Sequence, residues 1–323
     1  MREAPPRHEA SRSEIVLAFS AVYVLWGSTY LAIRFGVETI PPFLLAGLRH
    51  ATAGLILYAW TRRRGAPRPQ PKHWRSAFVV GGLMLLGGNG LVTWAEQRVP
   101  SGLAALIVAS VPIWMTVSDG VQRRERPHGV VVVGLLLGLG GLAFLIAPGQ
   151  FAGGSRVDPL GAAALLTAAL FWAIGSLHSR RVTLPESTLL ATAMEMIGGS
   201  VLLFLVAAAA GEWRGFSLAA VSARSVLALA YLVVAGSLLG FTAYIFLLGA
   251  TTPARVSTYA YVNPVVAVLL GWLLAGETVT PRTLVAAAVI VAAVALIIRH
   301  GARRTVAPAE ENVAPLRAEG GRR

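Results

Sequence analysis

The sequence predicts an all-α integral membrane protein, with ten transmembrane helices laid out as two inverted five-helix repeats. Three observations predict this class: the apolar excess, the length and number of the apolar runs, and a self-match between the two halves. Of the 323 residues, 55% are hydrophobic and 13% are charged, roughly half the charged share of a soluble domain. A water-surrounded core cannot shelter that much apolar sequence, so lipid is the solvent for the remainder. The absence of Cys excludes a disulfide framework, a thiolate metal site, an iron-sulfur cluster and a thiol nucleophile.

Apolar runs occupy residues 15–33, 43–60, 77–94, 102–117, 130–146, 160–177, 189–210, 226–248, 256–274 and 284–298, each near the ~20 residues that carry a helix across about 30 Å of hydrocarbon. They lack the polar alternation of barrel strands, so all ten read as helices. The first follows a polar tail, residues 1–14, with no cleavage site after it, and reads as a retained span and not a signal peptide. The second contains Arg49, and the third ends beside Glu96, which reads as a solvated or gating residue at the outer mouth. Pro112 interrupts the fourth and Pro264 the ninth; each frees a carbonyl and permits a bend, as a hinge for a moving helix or as a fixed kink. The fifth carries Gly134 and Gly138, a small-residue face for close helix contact within the bundle or in a homodimer. The seventh contains Glu195. Glu125 precedes Pro127, and Glu277 precedes Pro281, where the fifth and tenth helices should start, which reads as capping of a helix terminus. Residues 15–150 and 151–299 form the two repeats, and residues 300–323 read as a disordered tail.

The formal charge of +13 is distributed between the spans. With the amino terminus inside, cytoplasmic segments hold 21 basic residues and the opposite side 6, which puts both termini in the cytoplasm. These are topology charges on short loops and not a nucleic-acid groove. Trp26 and Arg34 match Trp172 and Arg180 at a shift of 146, and Pro112 and Glu125 match Pro264 and Glu277 at a shift of 152. Five spans per unit is an odd number, so the second unit enters the membrane upside down. Inverted repeats of this kind belong to secondary transporters, where one half rocks against the other around a midplane site.

The run Leu25-Trp26-Gly27-Ser28-Thr29-Tyr30 resembles the drug/metabolite transporter superfamily, as do Gly88, Asn89, Trp94, Ala95, Glu96, Pro100, Ser101, Gly102 and Pro112. So does the stretch from Ser257 through Tyr259 and Asn263-Pro264 to Gly276-Glu277. Within it these residues resemble the EamA-type ten-helix exporters, YedA-like subgroup, over residues 15 to 298. The second copy of the Trp-Gly motif is degenerate, with Ala173 after Trp172. The resemblance implies a bacterial inner-membrane carrier that exports amino acids, small metabolites or drugs, in some members by proton exchange, from a pocket between the halves. It implies no cofactor.

Ionisable groups inside spans are the first candidates for chemistry, because burying one costs about 2.5 to 3.5 kcal/mol even on the insertion scale. Arg49 and Glu195 are equivalent at the 146 shift and carry opposite charge. Arg49 reads as a partner for a substrate carboxylate or for a helix end, and Glu195 as a proton-coupling or ammonium-binding carboxylate; snorkelling to an interface or capping neighbouring carbonyls is the structural alternative for both. Trp26, Ser28, Tyr30, Asn89, Thr93, Trp94, Trp114, Trp172, Ser176, Tyr259 and Asn263 are the substrate-binding candidates. Aromatic faces wall a ring or a cation, and Asn and Ser give directional hydrogen bonds, a lining that suits a zwitterion. Trp94 reads equally as an interfacial residue, and Ser28 and Ser176 as packing residues. An intramembrane lipid-modifying enzyme would need clustered carboxylates, a His pair or a nucleophile, and no such motif occurs in the sequence. A channel or lipid scramblase is the other rival. The partners expected are a small-molecule substrate, membrane lipid and protons.

Overall fold

The structure, a computed structural model, describes residues 11–124, 129–146, 157–214, 216–251, 256 and 258–304. Among them there is no strand. The helices are α1 (Arg12–Gly36), α2 (Pro42–Arg63), α3 (Pro71–Ala95), α4 (101–123), α5 (Gly129–Ile146), α6 (Pro159–Ser179), α7 (Thr188–Ala209), α8 (223–250), α9 (Tyr259–Ala275) and α10 (Pro281–Arg304). Nine of these are long and apolar enough to cross a membrane; α9 is apolar but has only 17 described residues, about 26 Å of helix. Exposed Leu136, Leu160, Leu205 and Leu227 give the bundle an apolar exterior, as a chain solvated by lipid requires. The chain is therefore a multi-pass membrane protein. Residues 300–304, expected in a disordered tail, continue α10, because Ala and Arg favour helix and positive charge suits a carboxyl-terminal turn. Glu125 and Pro127 lie outside the described residues.

Helix starts follow local chemistry. Ser11 and Glu14 form a reciprocal capping box on α1, Asp158 accepts from Gly161 N at 2.6 Å on α6, and Ser187 accepts from Leu190 N at 3.3 Å on α7. Behind α2 and α4 stand Pro41 and Pro100, which carry no capping group. Carboxylates from the second repeat supply what is missing. Glu212 accepts from Phe43 N at 3.3 Å and Leu44 N at 2.9 Å. Glu277 accepts from Ser101 N and Ser101 Oγ, both at 2.7 Å, and from Gly102 N at 3.0 Å. Glu277 thus caps a helix, but α4 of the other repeat and not the helix that follows it. Gly276 ends α9 in the left-handed region with φ 64°, a turn glycine takes without strain, and Glu277 crosses to α4.

Equivalent helices pack against each other antiparallel. On the α2/α7 contact Gly47 faces Phe204 and Gly54 faces Met196; on the α5/α10 contact Gly134 faces Ile297 and Gly141 faces Ile290. The Gly134/Gly138 face is therefore filled within the chain, by α10 and by Ile113 of α4. Two further contacts form a matching pair. Trp26 of α1 lies on Gly240 of α8, and Trp172 of α6 lies on Gly88 of α3. Both α3 and α8 switch to π-helical turns in this region, Gly82–Gly90 and Leu232–Leu239. In α4 the helix breaks at Ala109 and Ser110, just before Pro112, whereas Pro264 sits inside a continuous α9. The central core gathers Ile33, Val92, Leu106, Leu165 and Ile290 from five helices.

Candidate functional site

Between the two repeats lies a cavity of about 410 Å³, lined by α1, α2, α3, α4, α6, α8, α9 and α10. Small-molecule sites fall in this size range, about 300–1,000 Å³. Val108 and Ala260 both line it, and their carbonyls are the ones that Pro112 and Pro264, four residues on, cannot bond. Toward one face of the bundle the lining is Met115, Thr116, Tyr259, Ile297 and Ile298. At the other face Ala95, Glu96, Val99 and Ser101 are all 0% exposed and close the bundle.

One wall is aromatic. The Trp26 ring stands 5.5 Å from Phe241, 5.1 Å from Tyr244 and 5.2 Å from Tyr259, mostly edge-on or tilted. Trp26 Nε1 donates to the carbonyl of Gly236 at 3.1 Å, inside the π turn of α8, which fixes the ring. The π turn ends at Gly240, which carries no side chain where the indole lies.

The polar wall is short and incompletely satisfied. Arg49 is buried, and its Nε donates to Ser237 Oγ at 3.0 Å while Nη1 has no partner. Among the described lining residues it is the one permanent charge. Next to it in the chain, buried His50 sets Nε2 3.0 Å from Asn89 Oδ1, so Nε2 donates and Nδ1 is left as an acceptor without a partner. Asn263 Oδ1 is likewise buried and unpartnered. A buried polar group left unpaired costs about 1–3 kcal/mol, more when charged. One cationic donor and two acceptors therefore border a single apolar-walled space.

Of the residues singled out in the sequence, Trp26, Tyr30, Arg49, Asn89, Pro112, Trp172, Tyr259, Asn263 and Pro264 line the cavity. Six others do not. Ser28 Oγ donates to the carbonyl of Leu25 and meets Tyr231 Oη at 2.7 Å. Thr93 and Ser176 donate back to the carbonyls of Asn89 and Trp172, a local bond open to any helical hydroxyl. Trp94 lies under the guanidinium of Arg98, 5.1 Å away, and Trp114, half-buried, has an unpartnered Nε1 outside the lining. Glu195 makes no hydrogen bond or ion pair among the described residues, and its carbonyl packs against Gly81 of α3. The lining also includes His50, Thr29, Thr116, Met115 and Phe241, which sequence reasoning did not select. His50 alone carried a signal, as a histidine inside a span beside Arg49. Among the described residues no group of three His, Asp or Glu gathers as a metal site.

The comparison with known proteins gives the same layout. The model of the EamA-like transporter family matches twice, at residues 12–147 and 159–299. The inner membrane transporter YedA of Escherichia coli (strain K12) is 40% identical over 304 residues, covering 93% of this chain and 94% of that protein. A second Escherichia coli protein, described as "Probable amino-acid metabolite efflux pump", is 28% identical over 287 residues, 84% of this chain and 89% of its own length. A solved crystal structure with 23% identity overlays at a TM-score of 0.61, covering 92% of this chain and all of that one, a likeness of fold. With two family matches spanning most of its length and a full-length relative at this identity, the chain belongs to the EamA-like transporter family.

Proposed function

We propose that the chain is a secondary active transporter that exports zwitterionic metabolites, amino acids foremost, across the bacterial inner membrane, with both termini in the cytoplasm. The observation that carries this reading is the buried Arg49 with an unpartnered Nη1 in the cavity between the repeats. A guanidinium so placed matches a carboxylate, and a charge-assisted hydrogen bond there contributes about 1.5–3 kcal/mol. Asn263 Oδ1 and His50 Nδ1 are acceptors for an ammonium, and the Trp26 and Tyr259 rings receive the organic side chain. An organic cation without a carboxylate is repelled by Arg49, which sets drug-like cations second.

The arrangement of the halves supports alternating access about this cavity. Ten crossings in two inverted fives, with α9 as the shortest, are supported by the antiparallel α2/α7 and α5/α10 contacts and by the twin Trp26/Gly240 and Trp172/Gly88 contacts. A twofold axis in the membrane plane produces this pairing. Pro112 and Pro264 border the cavity at equivalent positions and serve as the bending points.

Direct binding to the purified protein tests the reading. An amphipathic amino acid, its amide lacking the carboxylate, and its deaminated acid are titrated against the native chain and Arg49→Gln. The amino acid is expected to bind best, with Arg49→Gln weakening it about 10- to 100-fold and holding or strengthening the binding of the cationic amide. Equal affinity for the amino acid and its amide in the native chain would overturn the assignment.

A further inference from the structure

We infer that Glu96 is a proton-binding carboxyl that locks the closed face of the bundle when protonated and releases it when ionised. Glu96 follows the last residue of α3 and is 0% exposed. Neither carboxyl oxygen has a hydrogen-bond partner. A carboxylate without donors in such a place is far less stable than the neutral acid.

The groups that face it come from α1, α2, the α9–α10 connection and its own loop. From α1, Arg34 Nη1 donates to the Glu96 backbone carbonyl at 2.8 Å and not to its carboxyl, and Tyr30 lies in electrostatic reach. From α2 comes Arg49, and from the α9–α10 connection comes Glu277. On its own loop Arg98 is drawn off toward Asp158, 3.9 Å away at the start of α6. Glu277 holds three donors at a helix amino terminus. The two buried Glu96 oxygens have no donor in hydrogen-bond geometry. Burial first, and the Glu277 charge second, push the Glu96 carboxyl well above the usual carboxylate range, against the pull of Arg34 and Arg49.

Two carboxyls in unlike surroundings thus divide the roles: Glu277 ties α4 to the second repeat, and Glu96 must be neutral for the faces around it to meet. Opening the closed face exposes Glu96 to water and restores an ordinary carboxyl. Because the closed state binds the proton more tightly, closure is fully favoured below the ordinary carboxylate range. It fades as pH rises above that range, by up to about tenfold per pH unit until the closed-state value is passed. This rests on the alternating-access reading, and it assigns the proton to Glu96 where the sequence pointed to Glu195.

The Cys-free chain permits a direct test. Spin labels on the exposed positions Gln97→Cys and Thr278→Cys report the distance across the closed face in lipid. The expected result is a short-distance population that grows as pH falls, becomes pH-independent and short with Glu96→Gln, and keeps its pH dependence with Glu195→Gln. The inference is overturned if Glu96→Gln keeps the native pH profile, or if the native distance ignores pH while still responding to added amino acid. A distance that responds to neither pH nor amino acid overturns the alternating-access reading along with it.

Discussion

Arg49, His50 and Asn263 are expensive residues to bury in a lipid-solvated bundle, and their shared cavity is what makes them worth explaining. Each exposes one unpartnered atom, and the three atoms differ in kind: one cationic donor and two neutral acceptors. If Asn263 Oδ1 receives an ammonium, Asn263→Leu weakens an amino acid about tenfold and leaves its deaminated acid nearly unchanged. Titration of both ligands checks this, and equal losses for the two would contradict the role. Arg49 and Asn263 were legible in the sequence, one as a charge inside a span and the other as a polar residue beside a proline inside a span. Glu96 was legible only as a solvated or gating group at the outer mouth. Its complete burial, shared with Ala95, Val99 and Ser101, is seen only in the structure.

At the scale of elements, glycines set how closely helices approach. A Cβ at Gly81 would collide with the backbone of α7, at the Glu195 carbonyl and at Gly199 N, 2.7 Å away. Backbone cannot step aside as a flexible side chain does, so Gly81→Ala is expected to destabilise by about 1–3 kcal/mol. Gly140, on the same kind of apolar helix, has open space around its Cβ position, and Gly140→Ala gains about 0.5–1 kcal/mol of helix preference. Thermal unfolding in detergent is expected to lower the midpoint for the first and hold or raise it for the second. A lowered midpoint for both would contradict this packing. Nine of the spans were readable from apolar length alone, because lipid imposes one solution on a backbone. The π turns of α3 and α8 were not, since no residue pattern marks them; they appear where an indole from the other repeat lies on a helix glycine. The long-range caps were invisible for a related reason. Pro41 and Pro100 announce a missing cap, but which carboxylate fills it is decided by the fold.

The whole molecule carries two copies of one EamA-like unit, at residues 12–147 and 159–299. The self-match in the sequence, Trp26 with Trp172 and Pro112 with Pro264, returns in space as equivalent contacts around one cavity. At one face of that cavity the bundle is shut by Glu277 on α4, by Glu212 on α2 and by buried Glu96. A carrier with this architecture exposes its site to one side at a time, whereas a channel exposes both. Counterflow in liposomes separates the two most directly. Vesicles holding the protein and preloaded with unlabelled amino acid are diluted into trace labelled amino acid, with Arg49→Gln vesicles in parallel. The account predicts transient accumulation of label above equilibrium in the native vesicles and its loss with Arg49→Gln. Label that merely equilibrates, at the same rate with or without preloading, would contradict it.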